Sequence, residues 1–146
     1  MVIISATEFD PGAHLNSFMD ASQNAGAIAS FIGRVRGEHN EVESLYLESY
    51  ADVTERGIEN AESEARARWP LIDVLVIHRI GTMRSGDPIV LVATASEHRR
   101  SAFEACDFLM DYLKTEAIFW KKQTTKSGSE WVEPRAADYQ DNKRWS

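Results

Sequence analysis

The stretch from Asp73 to Ser96, DVLVIHRIGTMRSGDPIVLVATAS, decides the fold class. It holds two apolar runs rich in β-branched residues, DVLVIHRIGTM (73–83) and DPIVLVATAS (87–96), and these patterns predict two strands. The RSGD between them is typical of a turn. Strands that follow each other so closely pair antiparallel, because a parallel pair needs a long crossover. We therefore expect an α+β fold with a mostly antiparallel sheet, not a doubly wound α/β fold.

Other strands are predicted on both sides of this pair. Alternation or β-branched and aromatic residues indicate strands at 2–9, 26–37 and 44–50, with a polar loop, EHNEV, at 38–42. A C-terminal hairpin is predicted from IFWKKQTTK (118–126) and EWVEP (130–134), with its turn around Ser127 and Gly128. The predicted order is β-α-β-β-α-β-β-α-β-β.

Two long helices are predicted beside a short one at 14–23. The first runs over 52–69: Asp52 and Glu55 have the spacing of a capping box, and Pro70 ends it. The second runs over 97–117, with Ser96 as its predicted N-cap. Apolar residues recur at helical spacing in both, at Ile58, Ala61, Ala65 and Trp69 and at Phe103, Cys106, Met110, Leu113 and Ala117.

Length and composition predict one domain, residues 1–146. The polar segment 135–146 is expected to be a tail that orders only on contact. No apolar run reaches the ~18 residues of a membrane span, and the N-terminus does not resemble a signal peptide. Cys106 is the single cysteine, which suits a reducing compartment, and its helical spacing indicates a core residue. We therefore expect a cytoplasmic protein.

Charge is distributed unevenly along the chain. The formal net charge is -7, yet all five lysines lie at position 114 or later. Residues 1–113 have a balance of -9, and residues 114–146 have a balance of +2. This distribution disfavours binding to duplex nucleic acid, which requires a broad positive face. It favours one focused pocket for a small anion or an acidic partner tail.

Three groups of residues could bind an anion, and each could also be ordinary surface. His98 and Arg99 lie in the predicted first turn of the second long helix, where free N–H groups favour anions. Two arginines in FIGRVRG share one strand face, and such a pair can bind phosphate. Lysines 114 and 121 flank Phe119 and Trp120, and loss of solvent near aromatic surface lowers a lysine pKa. We find no metal-ligand spacing, nucleotide loop or Ser-His-Asp arrangement, and predict neither metal nor cofactor.

Several motifs in order carry a family resemblance. FIGRVRG, RWPL followed by VIHRIG, MDYLKTEAIFWK and WVEPR together resemble the MoaE family, the large, catalytic subunits of molybdopterin synthases. The resemblance covers about residues 26–145. It implies an α/β-hammerhead type of fold, mostly antiparallel, which agrees with the predicted element order.

The resemblance also implies a function. Members of this family are sulfurtransferases of molybdenum cofactor biosynthesis, converting cyclic pyranopterin monophosphate (precursor Z) to the dithiolene of molybdopterin. Sulfur arrives as the C-terminal glycine thiocarboxylate of a small ubiquitin-like subunit. A large-subunit homodimer with one small subunit at each end makes a heterotetramer, and neither nucleic acid nor membrane takes part.

Site residues follow from the matched motifs. Lys114 and Lys121 match the two catalytic lysines, which would hold the thiocarboxylate, stabilise the oxyanion and move protons. Phe119 and Trp120 would screen the site from water. The sequence departs from the family at loop 37–44, which is short, and at Ile118, which replaces a frequent proline. The expected substrate-binding residues are Arg34, Val35, Arg36, His98, Arg99, Lys114, Lys121, Lys122, Gln123 and Arg135.

Helix length leads to one further expectation. Fifteen residues separate Arg99 from Lys114, about 22 Å along a straight helix at ~1.5 Å per residue. A pterin monophosphate is too short to bridge both, so we expect His98, Arg99 and Arg135 to reach the lysines of a second copy in a two-fold dimer. Two other classes remain open: a module that only docks a ubiquitin-like partner, and a pterin or nucleotide phosphate hydrolase.

Overall fold

The computed structural model describes residues 1–36, 44–125, 128–133 and 135–146. The strands are β1 (Val2–Ser5), β2 (Ala27–Arg34), β3 (Ser44–Ser49), β4 (Leu71–Arg79), β5 (Gly81–Arg84), β6 (Pro88–Ser96), β7 (Phe119–Thr125) and β8 (Gly128–Trp131). The helices are α1 (Pro11–Ala21), α2 (Ala51–Arg68), α3 (Arg99–Thr115) and α4 (Ala136–Asn142), followed by a 3-10 turn at Lys143–Trp145. The predicted loop at 38–42 lies outside the described residues.

Within the described residues, the strands form two four-stranded sheets. The first has the order β1-β4-β6-β2, and among the described residues only β1 and β4 of this sheet pair in parallel. The second has the order β5-β3-β7-β8, and its pairings are antiparallel. The expected α+β fold with mostly antiparallel strands is therefore confirmed.

The prediction of one strand over 73–83 was wrong. Strand β4 ends at Arg79, and β5 begins at Gly81 in the other sheet. Gly81 has a φ of 95°, a left-handed conformation that glycine adopts without steric cost. The chain turns here, so β4 pairs with β6 while β5 pairs with β3.

The first sheet is buried on both faces because its central strands alternate between two apolar layers. Val74 and Val76 of β4 face the core formed with α2 and α3. Leu75 and Ile77 face a second core that contains Phe18 of α1. Cys106 is buried in the first core, as expected, and burial raises the pKa of its thiol to about 12.

The predicted starts of both long helices need correction. The N-cap of α2 is Tyr50, so Asp52 lies within the first turn, and the hydroxyl of Thr54 accepts the Tyr50 N–H at 2.7 Å. The N-cap of α3 is His98, and the Ser96 hydroxyl donates to Pro70 O at 2.9 Å. Phe103, predicted to lie on the buried stripe, is 64% exposed.

The C-terminal segment contains α4 and the 3-10 turn, which contact the rest of the chain, and the expectation of a tail that orders only on contact stays a prediction. Helix α4 packs against α3. Trp145 lies edge-on to Trp69 and Phe108, at centroid distances of 5.5 and 5.6 Å. Its indole N–H and the Arg144 guanidinium both donate to one Asp111 oxygen at 2.6 Å. Within the described residues, no helix is long and apolar enough to cross a membrane.

Candidate active site

Lys114 and Lys121 lie on either side of the connection from α3 to β7. Lys114 is in the last turn of α3 and is exposed, whereas Lys121 is the third residue of β7 and is partly buried. Burial lowers the pKa of Lys121, and the positive charges of Lys114 and Arg135 lower it further, against the opposing charge of Asp138. The fold therefore brings three predicted site residues together: Lys114, Lys121 and Arg135.

Arg135 reaches this cluster within its own chain. It is the N-cap of α4, and β8 leads to it from beside Lys121, whose carbonyl accepts the Val132 N–H at 2.9 Å. Within the single chain the charge of Arg135 acts on Lys121 of the same molecule, and the crossing of Arg135 to a second copy stays a prediction.

His78 is a member of the cluster that the sequence reasoning missed. It is buried on β4, and its ring stacks on Phe119. Burial is the main cause that lowers its pKa to about 4, and the charges of Lys114 and Lys121 add to the effect. Its Nδ1 lies 3.0 Å from Arg79 O, which favours the tautomer with the proton on Nδ1. A neutral imidazole thus lines the wall beside the lysines.

The two faces of β7 separate residues that the sequence analysis had placed together. Lys121 and Gln123 lie opposite Leu47 and Leu45, which are buried. Residues directly opposite in a sheet share a face, so these two face inwards. Phe119 alternates onto that same face and packs against the core, so it can screen the site as expected.

Lys122 and Trp120 lie on the outer face of the second sheet. The ammonium of Lys122 is 5.7 Å from the ring centroid of Trp131. Trp120 also contacts Trp131, and it is 52% exposed. Both tryptophans line an open cavity of about 380 Å³ with Glu48, Ser49 and Tyr50. The expectation that Trp120 screens the lysines was therefore wrong.

The arginines of FIGRVRG flank a buried valine. Arg34 ends β2, and both Arg34 and Arg36 are exposed. Val35 is 4% exposed, and its N–H donates to Asp87 O at 2.9 Å. Its side chain packs in the third core cluster, against which Phe119 also packs. The side chain of Val35 thus supports the site, while the two guanidiniums remain free to reach solvent or a ligand.

His98 and Arg99 lie at the opposite end of α3 from Lys114. Both are exposed and line a cavity of about 380 Å³ with Arg100, Phe103 and Glu104. Helix α3 is continuous from Arg99 to Thr115. Within one chain, the structure therefore does not bring His98 and Arg99 to the lysines.

Sequence comparison places these features in a known family. Residues 4–116 match the profile of the MoaE protein family. This chain belongs to the MoaE family. A Cereibacter sphaeroides protein named molybdopterin synthase catalytic subunit is 46% identical over 144 residues, which cover 99% of this chain and 99% of that protein. A Pseudomonas aeruginosa protein of the same name is 44% identical, over 97% of this chain and 96% of its own.

A solved structure supports the same relationship. The molybdopterin biosynthesis MoaE protein from Burkholderia ambifaria superposes with a TM-score of 0.85 at 43% identity, covering 99% of this chain and 97% of that chain. The family profile itself includes Lys114 but ends before Lys121 and Arg135. The similarity of this MoaE chain to its relatives nevertheless extends over the C-terminal segment that carries both residues.

Proposed function

We propose that this chain is the catalytic subunit of a molybdopterin synthase, an enzyme of molybdenum cofactor biosynthesis. Its membership of the MoaE family, with relatives of that name 44–46% identical over nearly the whole chain, supports this function. The observation that carries the mechanism is the convergence of Lys114 and Arg135 on the half-buried Lys121. It is a sulfurtransferase site.

The substrate we propose is cyclic pyranopterin monophosphate, and the sulfur donor is a thiocarboxylate. Both are anions, and a chain with net charge -7 can bind them only where positive charge is concentrated. Lys114 and Lys121 act as the catalytic residues: they hold the thiocarboxylate, stabilise the oxyanion formed on attack and move protons as ring oxygens leave. Because burial and Lys114 lower the pKa of Lys121, that lysine exchanges a proton more readily than a lysine in water.

The other matched residues bind the substrate. The guanidiniums of Arg34, Arg36 and Arg99 are exposed and suit the phosphate and pterin. Arg135 adds a further cation next to Lys121. Gln123 shares the inward face with Lys121, whereas Lys122 contributes from the outer face. The proposed set is Arg34, Val35, Arg36, His98, Arg99, Lys122, Gln123 and Arg135, with Val35 acting through packing.

Two protein partners complete the proposed enzyme. The relatives are named catalytic subunits, which implies a further subunit, and we propose a small ubiquitin-like protein that delivers the thiocarboxylate on its C-terminal glycine. The second partner is another copy of this chain. The length of α3 between Arg99 and Lys114 is about 22 Å at ~1.5 Å per residue. A dimer would bring His98 and Arg99 of one copy to the lysines of the other.

We further propose that the enzyme works in the cytoplasm, without membrane or nucleic acid. The single cysteine is buried and cannot form an internal disulfide, which suits a reducing compartment.

The test is reconstitution with defined components. Purified chain, cyclic pyranopterin monophosphate and thiocarboxylated small subunit are mixed, and the pterin is followed by mass spectrometry. Two oxygen-to-sulfur exchanges are expected, and none with a partner that ends in an ordinary carboxylate. If the partner binds tightly but the pterin never gains sulfur, the chain is a docking module and the proposed function is wrong. Release of inorganic phosphate instead would indicate a hydrolase.

A further inference from the structure

The end of β2 is bonded to a turn as well as to its neighbour in the sheet. The pairing of β2 with β6 becomes irregular between Gly33 and Arg34. Beyond that point, Val35 bonds to the turn between β5 and β6 through both of its backbone groups. Its N–H donates to Asp87 O at 2.9 Å, and its carbonyl accepts the Gly86 N–H at 2.7 Å. The position of this strand end therefore depends on the shape of the turn.

The side chain of Asp87 closes that turn. Its Oδ2 accepts the Arg84 N–H at 2.9 Å, and the same oxygen lies 3.3 Å from the guanidinium of Arg79. Gly86 has a φ of 90°, which glycine adopts without steric cost. The residue that accepts the Val35 N–H on its carbonyl thus also fixes the turn with its carboxylate.

Arg79 links this carboxylate to the first sheet. Its side chain is only 9% exposed, at the end of β4, and it also donates to Thr82 O at 3.1 Å. Among the described residues, its Nε has no hydrogen-bond partner. Removing the carboxylate from a buried guanidinium with so few acceptors is costly. The ion pair between Arg79 and Asp87 therefore resists movement of the turn.

The direction of two proposed substrate-binding residues follows from Val35. Its side chain packs in the same core cluster as Met83, which lies on β5 just before the turn. The residues on either side of it, Arg34 and Arg36, are exposed. Side chains alternate along an extended chain. Movement of Val35 would therefore displace both guanidiniums at once.

We propose that Asp87 is a positioning residue for substrate binding. Paired with Arg79, it shapes the turn between β5 and β6 and, through the backbone of Val35, fixes the end of β2. This strand end then presents the guanidiniums of Arg34 and Arg36 to the anionic substrate. The role rests on the proposed function of these two arginines, and Asp87 acts through them.

The first test follows the backbone by NMR hydrogen exchange and needs no substrate. In Asp87→Ala the Val35 N–H should exchange at least about tenfold faster, because its acceptor is no longer held in place, while amides at the centre of β2 stay unchanged. Asp73→Ala is the matched control. That carboxylate also accepts a backbone N–H, at 2.8 Å, and pairs with Arg66 at 3.3 Å, but at the other end of β4. Unchanged Val35 exchange in folded Asp87→Ala would overturn the proposal.

The second test is the kinetics of the chain with its thiocarboxylated partner. Asp87→Ala should raise the KM for cyclic pyranopterin monophosphate about tenfold and leave kcat within about twofold, because displaced guanidiniums weaken binding without changing the lysines. In Arg34→Ala/Arg36→Ala the same change should raise KM no further, since Asp87 acts through these residues. A purely structural loss would add to the effect of the double variant. An unchanged KM, or additive effects on KM, would contradict the positioning role.

Gly86→Ala covers the case in which Asp87→Ala does not fold. A Cβ at this position would meet no described atom within 4 Å, so the change strains only the backbone, at a φ of 90°. It also leaves the ion pair between Arg79 and Asp87 in place. Faster Val35 exchange and a higher KM are expected again. Wild-type values in this variant would show that the turn does not control the strand end.

The two measurements separate this proposal from the proposed function. If no form of the chain, wild type included, transfers sulfur while Val35 exchanges faster in Asp87→Ala, the proposed function fails and control of the strand end by the turn stands. If the wild type transfers sulfur and Asp87→Ala keeps its KM, the proposed function stands and the role of Asp87 is overturned.

Discussion

The ring of His78 stacks on the ring of Phe119, with centroids 4.1 Å apart and planes inclined by 23°. His78 comes from the first sheet and Phe119 from the second, so this contact joins the two sheets next to the lysines. It also encloses the imidazole, and burial lowers its pKa from 6.5 to about 4. A protonated ring here would add a third cation beside Lys114 and Lys121.

The first prediction concerns stability against pH. Because the folded pKa of His78 lies below its unfolded value, the unfolded chain binds a proton between about pH 6.5 and pH 4 that the folded chain does not. Stability should therefore fall as pH falls through this window, by about 3 kcal/mol for this group. Urea unfolding of His78→Gln should show a flatter pH dependence over this window. His14→Gln, on α1, is the control; equal slopes for His78→Gln and the wild type would contradict the prediction.

The second prediction concerns the lysines. Lys114→Ala and Lys121→Ala should each reduce sulfur transfer by about 100-fold or more, the usual effect of removing an electrostatic or proton-transfer group. Lys143→Ala, in the terminal 3-10 turn, should keep wild-type turnover. Circular dichroism checks the fold, and mass spectrometry checks loading of the partner. Near-normal turnover in either of the first two variants would remove that lysine from the mechanism.

The third prediction tests the shared site by subunit exchange. His98→Ala/Arg99→Ala mixed with Lys114→Ala should give heterodimers with one intact site of two. If the two variants are mixed in equal amounts and exchange subunits freely, about half of the dimers contain one copy of each variant. Each of these dimers has one intact site of two, so about a quarter of wild-type activity should return. Lys114→Ala mixed with Lys121→Ala should stay inactive, because both changes fall in one cluster. No recovery despite proven heterodimers would mean that the site is not shared.

The fourth prediction concerns the thiol of Cys106. Its pKa is raised to about 12 by burial and by the neighbouring Asp107, so very little thiolate forms near neutral pH. A disulfide reagent at pH 7 should leave the folded protein unlabelled and react once with protein unfolded in urea. Rapid labelling of the folded protein would show that this part of the core opens.

The fifth prediction concerns the C-terminal attachment. Trp145→Ala removes two aromatic contacts and one hydrogen bond to Asp111, so it should lower the free energy of unfolding by about 2 kcal/mol or more. Trp145→Phe keeps a ring and should lose about 1 kcal/mol, close to the value of one hydrogen bond. Trp131→Ala is the control, since that ring is 58% exposed. Equal stability of Trp145→Ala and the wild type would show that the segment is not docked in solution.

Local patterns in the sequence determined much of this protein. The alternation of Leu45 and Leu47 with Tyr46 predicted the buried face of β3, and the spacing of Ile58, Ala61 and Ala65 predicted that of α2. Helix and strand periods are set by backbone geometry, so they can be recognised in a short window. The lysines of the site were equally visible, because their confinement to the last part of the chain and their motif are linear features.

Only the tertiary structure decided how these elements meet. The turn at Gly81 sends β5 to the other sheet, and the face of β7 that carries Lys121 depends on its pairing with β3. The pKa of His78 is lowered mainly by burial and further by the charges of Lys114 and Lys121, which lie more than thirty positions away in the sequence. Trp145 looked like part of a polar tail, and only the fold brings it to Trp69, Phe108 and Asp111. Burial and charge act through space, so a residue's neighbours in the fold determine its chemistry, and no local pattern contains them.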